Sequence, residues 1–340
     1  MKLTNVVPAA VPASNRNAAA ATPSAASTGS LTVAQMNLWN LFDTVDNPKT
    51  GDEVLTAEQY GVKLEKIAKA VVELGMPDII SVNEIENETV LADLVKRPEL
   101  VKAGYSFVVN PPNDERGINV GVLYRDAKVE KVGVETINPK MSFPDGGRGQ
   151  VDRSLLYARL PLIVDFKVRG AAQASEGAQL LTVAVNHFKS KLGGAAPEAR
   201  RQMQGQYLGE WLDARQATRP SGATIVLGDL NANHGEGAYE KLAKRADGST
   251  RFDDAPMKLD ADDRYTYIYR NQKDLLDHML VTAGRTDAIE AVKILHVNTP
   301  KEAKKSQWDP KVLAGFSDHD PMVASFDIDK LFGAGAKPKG

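Results

Sequence analysis

An acid and an amide come directly after a buried apolar run in the segment IVLGDLN at positions 225–231. Because side chains alternate along a strand, Asp229 and Asn231 point to the same side of it, about 6–7 Å apart. Two short polar groups at a strand end are suited to hold a metal-bound water or a phosphate. Many strands also end in Asp or Asn to form a turn, so this segment alone leaves both interpretations open.

Three further segments share this format, in which an apolar strand is followed at once by Asn, Glu or His. They end at Asn37, Glu84 and His187. Strand ends are where the loops of layered α/β proteins gather ligands, so we expect these polar groups to converge. The expected site contains Asn37, Glu84, His187, Asp229, Asn231, Asp277, Asp318 and His319.

The composition of this set indicates a hard divalent cation. It is rich in carboxylates and amides, and the chain contains no cysteine. Oxygen ligands select Mg²⁺, Mn²⁺ or Ca²⁺ rather than zinc, and Mg²⁺ usually takes only one or two carboxylates. Glu84 at a strand end fits that role. The alternative is that Glu84 is a surface residue of the acidic run that includes Glu86 and Glu88.

The segment SDHDP at positions 317–321 is a second place where acid–base chemistry is expected. An Asp beside a His can orient the imidazole ring and raise its basicity. Adjacent residues of an extended strand point to opposite faces, so pairing within this segment requires a turn, which Pro321 favours. A turn or helix-cap cluster is the alternative. His278, which follows Asp277, is expected to pack or hydrogen-bond structurally.

A local basic surface would supply the attraction for a polyanion that the chain as a whole lacks. The 340 residues carry a formal net charge of -2, so no global field attracts nucleic acid. Lys189 and Lys191 lead through a glycine-rich turn to Arg200 and Arg201, and we expect these cations to meet phosphate. The alternative is that they are only solvated.

The pattern of apolar residues predicts one α/β domain of ordinary soluble composition. No apolar run approaches the ~20 residues of a membrane span. Zinc, P-loop, dinucleotide-binding and nucleophile-elbow motifs do not occur in the sequence. Predicted helices cover 57–74 and a segment opened by Pro197, a surface loop covers 138–150, and predicted strands cover 31–36, 78–83, 118–124, 155–168, 180–186, 223–227, 276–281, 289–297 and 322–326.

Six segments resemble, in order, the motifs of the endonuclease/exonuclease/phosphatase superfamily, which includes the deoxyribonuclease-I-like enzymes. They are MNLWNLF at 36–42, DIISVNE at 78–84, NHFKSK at 186–191, GDLNA at 228–232, LDH at 276–278 and SDHDP at 317–321. Each motif is weak alone, but six in family order are hard to obtain by chance. Asn83 stands where many members carry Gln. The chain looks most similar to secreted bacterial nucleases, although it lacks the cysteine pairs that these often carry.

The resemblance implies a four-layer α/β/β/α sandwich with two packed mixed sheets, and a divalent-metal site. Glu84 would bind the metal, Mg²⁺ in the first place with Mn²⁺ or Ca²⁺ as alternatives, joined by Asn37 and Asp318. His187 would contact the scissile phosphate. Arg153 resembles a family arginine near that phosphate, although the proline that often follows it is missing.

The remaining roles concern proton transfer. The resemblance implies that Asp229 orients or deprotonates the attacking water and that Asn231 holds a phosphate oxygen. His319, steered by a carboxylate such as Asp277 or Asp318, would be an acid–base partner or a charge stabiliser. The identity of the general base stays open.

Three functions follow from these expectations. The leading hypothesis is a metal-dependent phosphodiesterase that cleaves DNA without sequence preference, as an endonuclease. The second is a lipid or small-molecule phosphodiesterase, similar to a sphingomyelinase, which an exposed apolar hairpin near the site would favour. The third is a non-catalytic binding module, which the intact set of polar residues argues against. RNA as substrate, exonuclease action and the oligomeric state are left open.

The chain is expected to divide into a leader, a catalytic domain and a tail. Residues 1–30 are mostly Ala, Ser, Pro, Asn, Thr and Val, which predicts a disordered leader or an export signal. The catalytic domain would cover 31–330, and 331–340 would be a flexible tail. Secretion or export is the expected destination, with the cytoplasm as the alternative.

Overall fold

A computed structural model describes residues 29–137, 155–170, 180–299 and 303–333. Its strands are β1 (Ser30–Leu41), β2 (Ile79–Ile85), β3 (Tyr105–Val109), β4 (Asn119–Arg125), β5 (Val129–Thr136), β6 (Leu162–Val168), β7 (Leu180–His187), β8 (Ala223–Asp229), β9 (Phe252–Asp254), β10 (Tyr267–Tyr269), β11 (Gln272–Asp274), β12 (Asp277–Thr282), β13 (Ile289–Ile294) and β14 (Met322–Asp327). Its α-helices are α1 (Ala57–Glu73), α2 (Glu88–Val95), α3 (Ala195–Thr218), α4 (Gly237–Ala243) and α5 (Ile328–Leu331). Short 3-10 helices lie at Val101–Ala103, Ala255–Lys258, Ala261–Asp263, Thr286–Ala288 and Ala303–Ser306.

Two mixed six-stranded sheets form the centre of the molecule. The first has the strand order β13-β14-β1-β2-β4-β3, and the second has the order β5-β6-β7-β8-β12-β9. In each sheet one central pair is parallel, β1 with β2 and β7 with β8, and the neighbouring strands are antiparallel. The parallel pairs align the carboxyl ends of β1 and β2, and those of β7 and β8.

Three layers of apolar packing show that the sheets are stacked and covered by helices on both outer faces. The inner faces meet in a cluster that includes Leu31 and Val33 from β1 and Val183 and Ile225 from the second sheet. A second cluster joins the outer face of the first sheet to α1 and α2, and a third joins the second sheet to α3 and α4. This arrangement confirms the predicted four-layer α/β/β/α sandwich.

Helix α1 forms where the sequence predicts it. Thr56 and Gln59 form a reciprocal capping box that satisfies backbone amides at the first turn. Leu64, Ile67 and Val71 recur at helical spacing and are buried against the first sheet. The helix Ala195–Thr218 likewise extends the predicted segment opened by Pro197, which here lies in its first turn.

The predicted strand 155–168 is wrong in its first half, because β6 begins only at Leu162. The backbone before it is held by side chains instead of a neighbouring strand. Asn113 donates to the carbonyls of Tyr157 and Ala158, at 3.1 and 3.3 Å, and Asn110 donates to the carbonyl of Leu160 at 3.0 Å. An apolar run cannot reveal such side-chain partners from 44 or more residues away.

The expected chain boundaries are only partly visible. Strand β1 begins at Ser30, and Ile328 donates to the carbonyl of Gly29 at 2.9 Å. Leu331, at the end of α5, is fully buried. Residues 1–28, the predicted loop at 138–150 and most of the predicted tail lie outside the described residues. Among those that are described, no helix has the length and apolar character needed to cross a membrane.

Candidate active site

The register of the strands brings the predicted acids and histidines to one edge of the sandwich. In the second sheet, Asp229 at the end of β8 is paired with His187 on β7 and with Asp277 on β12. In the first sheet, Asn37 on β1 is paired with Asn83 on β2, directly before Glu84. The strand-end format therefore predicted convergence correctly for these positions.

Gly228 allows the strands that carry His187 and Asp229 to approach closely. It has a φ of +136°, and an added Cβ would lie 1.8 Å from the carbonyl oxygen of Asn186. No side chain fits at that distance, so the glycine of the GDLNA segment is required by backbone contact.

Two buried amides join the sheets directly beneath the site. Gln35 donates to the side-chain oxygen of Asn83 at 2.7 Å and to Asp277 at 3.2 Å. Asn83 in turn donates to the carbonyl of Asn186 at 3.0 Å and accepts from the backbone amide of Asp229 at 3.0 Å. Because every contact is buried, this network fixes the two sheet edges relative to each other. Sequence reasoning missed Gln35, whose position in the middle of an apolar strand was the available signal.

A left-handed corner holds Glu84. Trp39, Asn40 and Glu84 have φ values of +45°, +54° and +58°, and the β1–β2 pairing shifts register here. The backbone amide of Asn40 donates to Glu84 Oε2 at 3.1 Å. The buried Lys63 donates through Nζ to the carbonyls of Trp39 and Asn40. Lys63 thus braces the corner that orients Glu84, a role that no sequence pattern indicated.

Asp229 lies at the centre of the site. Its Oδ1 accepts from the backbone amide of Asn231 at 2.7 Å, and its Oδ2 accepts from Asn37 Nδ2 at 3.3 Å. Burial raises the pKa of Asp229 to about 7, with His319 opposing the shift and Asp277 adding to it. A carboxylate with a raised pKa is a stronger base at neutral pH than an ordinary Asp.

The two histidines on either side of Asp229 are in opposite electrostatic states. His319 Nδ1 donates to Asp277 Oδ2 at 2.6 Å. Burial alone would lower the pKa of His319, but Asp277, aided by Asp229 and Asp318, raises it well above its ordinary value. Burial alone would raise the pKa of Asp277, but its contact with the protonated His319 keeps that pKa below the usual value. His319 is therefore an imidazolium paired with Asp277, and not with its neighbour Asp318.

His187 is neutral by contrast. Burial lowers its pKa well below the ordinary value, and the nearby cations Arg159 and Arg116 add to that effect. Its Nε2 lies 3.6 Å from Asp229 Oδ2 and 3.8 Å from Glu84 Oε1. His319 Nε2 lies 4.0 Å from the same oxygen of Asp229.

These groups line a cavity of about 680 Å³. Its walls are formed by Glu84, Arg116, Arg159, His187, Ser190, Lys191, Leu192, Asp229, Asn231, Tyr267, Tyr269, Asp274, Leu276, Asp318 and His319. Arg116 and Arg159 were missed by sequence reasoning. Arg159 donates to Asp114 at 3.1 Å and to the carbonyl of Phe188. Arg116 follows a charged turn directly before β4, which was the one signal available for it.

The donor set fits a hard divalent cation with few protein ligands. Glu84 and Asp318 line the same cavity and keep side-chain exposures of 14% and 18%. Within the described ranges no cluster of three or more acidic or histidine side chains could hold a metal. One or two carboxylates with water and phosphate completing the shell is the arrangement Mg²⁺ prefers. The side chain of Asn37 makes protein contacts instead: its Oδ1 accepts from the backbone amide of Trp39 at 2.9 Å, and its Nδ2 donates to Glu84 Oε1 at 3.4 Å.

The predicted basic surface is only partly directed at the cavity. Lys191 lines it and forms an ion pair with Glu236 at 2.9 Å, whereas Lys189 is not among the lining residues. Arg201 is buried and donates to the carbonyls of Lys189 and Ser190, so it braces the loop. Arg200 donates to the carbonyls of residues 155 and 156 in the same way. The predicted phosphate contact Arg153 lies outside the described residues.

Two histidines outside the site have structural partners. His278 is fully buried between Asp254, at 2.7 Å, and the carbonyl of Ala232, at 2.8 Å, as expected of a structural residue. His296 contacts Asp320 at 2.8 Å and stacks on Tyr265. Asp320 also accepts from the amides of residues 297, 298 and 299, so it holds the loop that follows β13.

Comparison with known proteins identifies solved structures that share this fold. The fold is shared by TDP2 from C. elegans (14% identity over 88% of this chain and 75% of that chain, TM-score 0.58) and by the human nocturnin catalytic domain with bound sulfate (19%, 88% and 94%, TM-score 0.56). It is also shared by D. rerio TDP2 complexed with a single-strand DNA product (15%, 87% and 98%, TM-score 0.56). A search of curated proteins found no match.

The family assignment rests on sequence as well as fold. The profile of the endonuclease/exonuclease/phosphatase family matches residues 32–306, which includes every site residue up to Asp277. The remaining two, Asp318 and His319, follow the matched range and complete the same cavity. The chain belongs to the endonuclease/exonuclease/phosphatase family, whose enzymes are phosphodiesterases and related hydrolases that generally use divalent metals.

Proposed function

We propose that this protein is a divalent-metal-dependent phosphodiesterase that cleaves nucleic acid, with DNA as its substrate. One observation carries the proposal. Asp229 Oδ2 lies 3.6 Å from a neutral His187 and 4.0 Å from a cationic His319, in the cavity that Glu84 and Asp318 also line. A base, a neutral donor, a cation and metal-binding carboxylates are the groups that phosphodiester hydrolysis requires.

Each residue has a role that follows from its charge state. Asp229 takes the proton of the attacking water, because its raised pKa makes it an effective base near neutral pH. His187 offers an N–H to a phosphate oxygen without adding charge. His319 presents a positive N–H that stabilises the negative phosphate or protonates the leaving oxygen. Asp277 holds the ring of His319 and its charge.

The metal would be held by Glu84 and Asp318, two carboxylates that line the cavity and keep side-chain exposures of 14% and 18%. When bound, a divalent cation supplies Lewis-acid stabilisation of the charge that develops on the phosphate. Asn37 keeps Glu84 and Asp229 in place through its Nδ2. Mg²⁺ is the ion we propose, since the donors are hard oxygens.

The surface around the cavity favours nucleic acid over lipid. Arg116, Arg159 and Lys191 place positive charge on its walls. The hairpin beside it carries Arg270 and Lys273 next to its tyrosines, so it is cationic and aromatic, not apolar. D. rerio TDP2, which shares the fold, was solved with a single-strand DNA product. Contacts to the phosphate backbone carry no sequence information, so we propose cleavage without sequence preference.

A plasmid-nicking assay tests this proposal. Purified protein is incubated with supercoiled plasmid in Mg²⁺ or in EDTA, beside the double variant Asp229→Ala/His319→Ala. We expect nicking in Mg²⁺ by the wild-type protein alone, with the variant retaining its thermal transition as a control for folding. If both the plasmid and a single-stranded circular DNA stayed intact at micromolar wild-type enzyme, DNA would be overturned as the substrate, and attention would turn to RNA, phospholipid and small phosphodiesters.

Export is a further part of the proposal and rests on the composition of residues 1–30. A reporter enzyme fused behind these residues should accumulate in the medium of bacteria that carry a matching secretion system. Retention of the reporter inside cells, equal to that of the reporter alone, would contradict export.

A further inference from the structure

A two-residue hairpin rises from the edge of the active cavity. Strands β10 and β11 pair from Tyr267 to Asp274, and Arg270 and Asn271 form the turn between them. Both turn residues have left-handed backbones, with φ values of +49° and +66°. This is the backbone of a type I′ turn, for which Asn-Gly and similar pairs are preferred.

Arginine is an uncommon choice for that turn. A residue with a Cβ is strained at positive φ, and such strain in native proteins concentrates at functional positions. The effect here is to place a guanidinium at the tip of the hairpin. Arg270 Cζ lies 5.2 Å from the centre of the Tyr269 ring, which is 51% exposed and lines the cavity.

The root of the hairpin is fixed to the catalytic residues. Thr266 Oγ1 accepts from the amide of Asp277 at 3.1 Å, and the Thr266 carbonyl accepts from the amide of Asp320 at 2.7 Å. The ring of Tyr267 lies 4.8 Å from that of His319. On the other strand, Asp274 accepts from Asn233 at 2.7 Å. The exposed ring at the tip is therefore held at a set position relative to the reacting phosphate.

We propose that Tyr269 and Arg270 form a stacking site for an unpaired nucleobase of the strand whose phosphate occupies the cavity. This inference rests on the proposed function and adds a preference to it. Aromatic rings stack on any base because every base has a π face, and a guanidinium adds a cation–π contribution. In a duplex both faces of a base are covered by neighbours. The preferred substrate is then single-stranded or frayed nucleic acid.

The charge around the cavity agrees with this arrangement. Arg116 and Arg159 lie on the cavity wall, where they can meet the backbone phosphates of a strand whose base is turned toward Tyr269. A cationic groove combined with an aromatic platform is the general design of single-strand binding. A lipid surface would instead engage Leu192, which is 79% exposed at the same cavity.

Binding measured in EDTA distinguishes the contribution of the nucleobase from that of the phosphate backbone. Fluorescence anisotropy compares a single-stranded oligothymidylate with an abasic oligomer of equal length and charge, and with a duplex. Wild-type protein should bind the oligothymidylate about tenfold or more tightly than the abasic oligomer, as expected for one stacked base. Tyr269→Leu, which keeps apolar bulk, should abolish that preference, while Tyr269→Phe and the control Leu192→Ala should retain it.

Cleavage in Mg²⁺ then separates the two hypotheses. Wild-type protein that neither binds nor cleaves any of these nucleic acids would overturn the proposed function and this inference with it. Wild-type protein that cleaves DNA but does not distinguish the oligothymidylate from the abasic oligomer would overturn the inference alone. So would a Tyr269→Leu protein that keeps the wild-type preference. Binding to vesicles of phosphatidylcholine and phosphatidylserine that is lost in Leu192→Ala, with no preference for the oligothymidylate, would assign the mouth of the cavity to lipid and contradict the inference.

Discussion

At the scale of single residues, the site depends on two histidines that differ in charge although both are buried in one cavity. Asp277 lies 2.6 Å from His319 and stabilises its proton, whereas His187 has two arginines nearby and is neutral. Both rings are buried, so the charged groups beside each ring decide whether it is protonated or neutral. For Asp229 burial is the main cause: it raises the pKa to about 7, and the nearby Asp277 and Glu84 add to the shift, so Asp229 can accept a proton near neutral pH.

Replacing Asp277 by Asn should therefore change both rate and pH dependence. We expect kcat to fall by about 10²- to 10⁴-fold, the contribution typical of acid–base groups. In the wild-type protein the raised pKa of His319 keeps the ring protonated at neutral pH and above. Without Asp277, burial lowers that pKa, so the loss of activity should grow as the pH rises from about 6 to about 9. A pH–rate profile measures this.

The result that would contradict this account is a parallel profile. If Asp277→Asn lowered kcat equally at every pH, the aspartate would not control the protonation of His319. Asp254→Asn is a useful control, because Asp254 makes an equivalent contact with the structural His278 and should affect stability without altering the pH profile of kcat.

The sequence predicted the position of the proposed catalytic side chains better than that of the arginines on the cavity wall. Asn37, Glu84, His187 and Asp229 follow apolar strands, and that local pattern is visible without a fold. Arg159 reaches the cavity from a segment whose shape depends on Asn110 and Asn113, about 50 residues away in the sequence. Contacts between distant segments leave no local pattern, so this residue could not be found.

At the scale of elements, the corner between β1 and β2 links a buried lysine to the predicted metal ligand. Burial lowers the pKa of Lys63 to about 8, while Glu84 and Asp318 oppose the shift. The lysine satisfies the carbonyls of Trp39 and Asn40, and the Asn40 amide then holds Glu84. Loss of this lysine should disturb the position of Glu84 more than it lowers the stability of the fold.

We predict that Lys63→Met raises the Mg²⁺ concentration for half-maximal activity by about tenfold to a hundredfold, as substitutions around metal ligands commonly do. The matched control is Lys66→Met. Lys66 is equally buried, but its Nζ donates to the carbonyls of residues 306, 307 and 314, away from Glu84. Both variants should lose stability, and only Lys63→Met should change the Mg²⁺ requirement. Equal Mg²⁺ titrations for the two variants would refute the support role.

The close approach of β7 and β8 at Gly228 leads to a second prediction, which concerns stability. Gly228→Ala should destabilise the protein by about 3 kcal/mol or more, because the new Cβ would overlap the Asn186 carbonyl and the backbone cannot move without disrupting the pairing. Gly61→Ala is the control, since its Cβ meets nothing within 4 Å on helix α1. That change should stabilise by about 0.5–1 kcal/mol. Urea unfolding measures both, and similar midpoints would contradict the packing argument.

At the scale of the whole molecule, alternation within β1 explains why the sandwich has four layers. Leu31 and Val33 point to the inner core, and Ala34 and Met36 point to the helical layer. Both faces are apolar because both are covered. The sequence predicted the layers through the family resemblance and the alternation of strands and helices. It missed the small strands β3, β9, β10 and β11, which are too short to give a periodic signal. It also missed β5, an edge strand whose residues are largely exposed and carry no clear apolar alternation.

The limits of the folded unit can be tested by truncation. A chain that begins at residue 29 should melt within about 2 °C of the full chain, because pairing of β1 with β14 starts at Ser30. A chain that begins at Ala34 should melt far lower, since it loses Leu31 and Val33 from the inner core. Calorimetry of the two shortened chains measures this. Equal transitions for both would show that the start of β1 is dispensable.

On the proposed function, Asp229 and His319 act on one phosphodiester as a unit. A double-mutant cycle with Asp229→Asn, His319→Gln and the combined variant, measured as kcat on a single-stranded oligonucleotide in Mg²⁺, tests this coupling. We predict strong non-additivity, with the combined variant about as slow as the slower single variant. If the two losses instead multiplied, or if either single variant retained wild-type kcat, the proposed site would be contradicted.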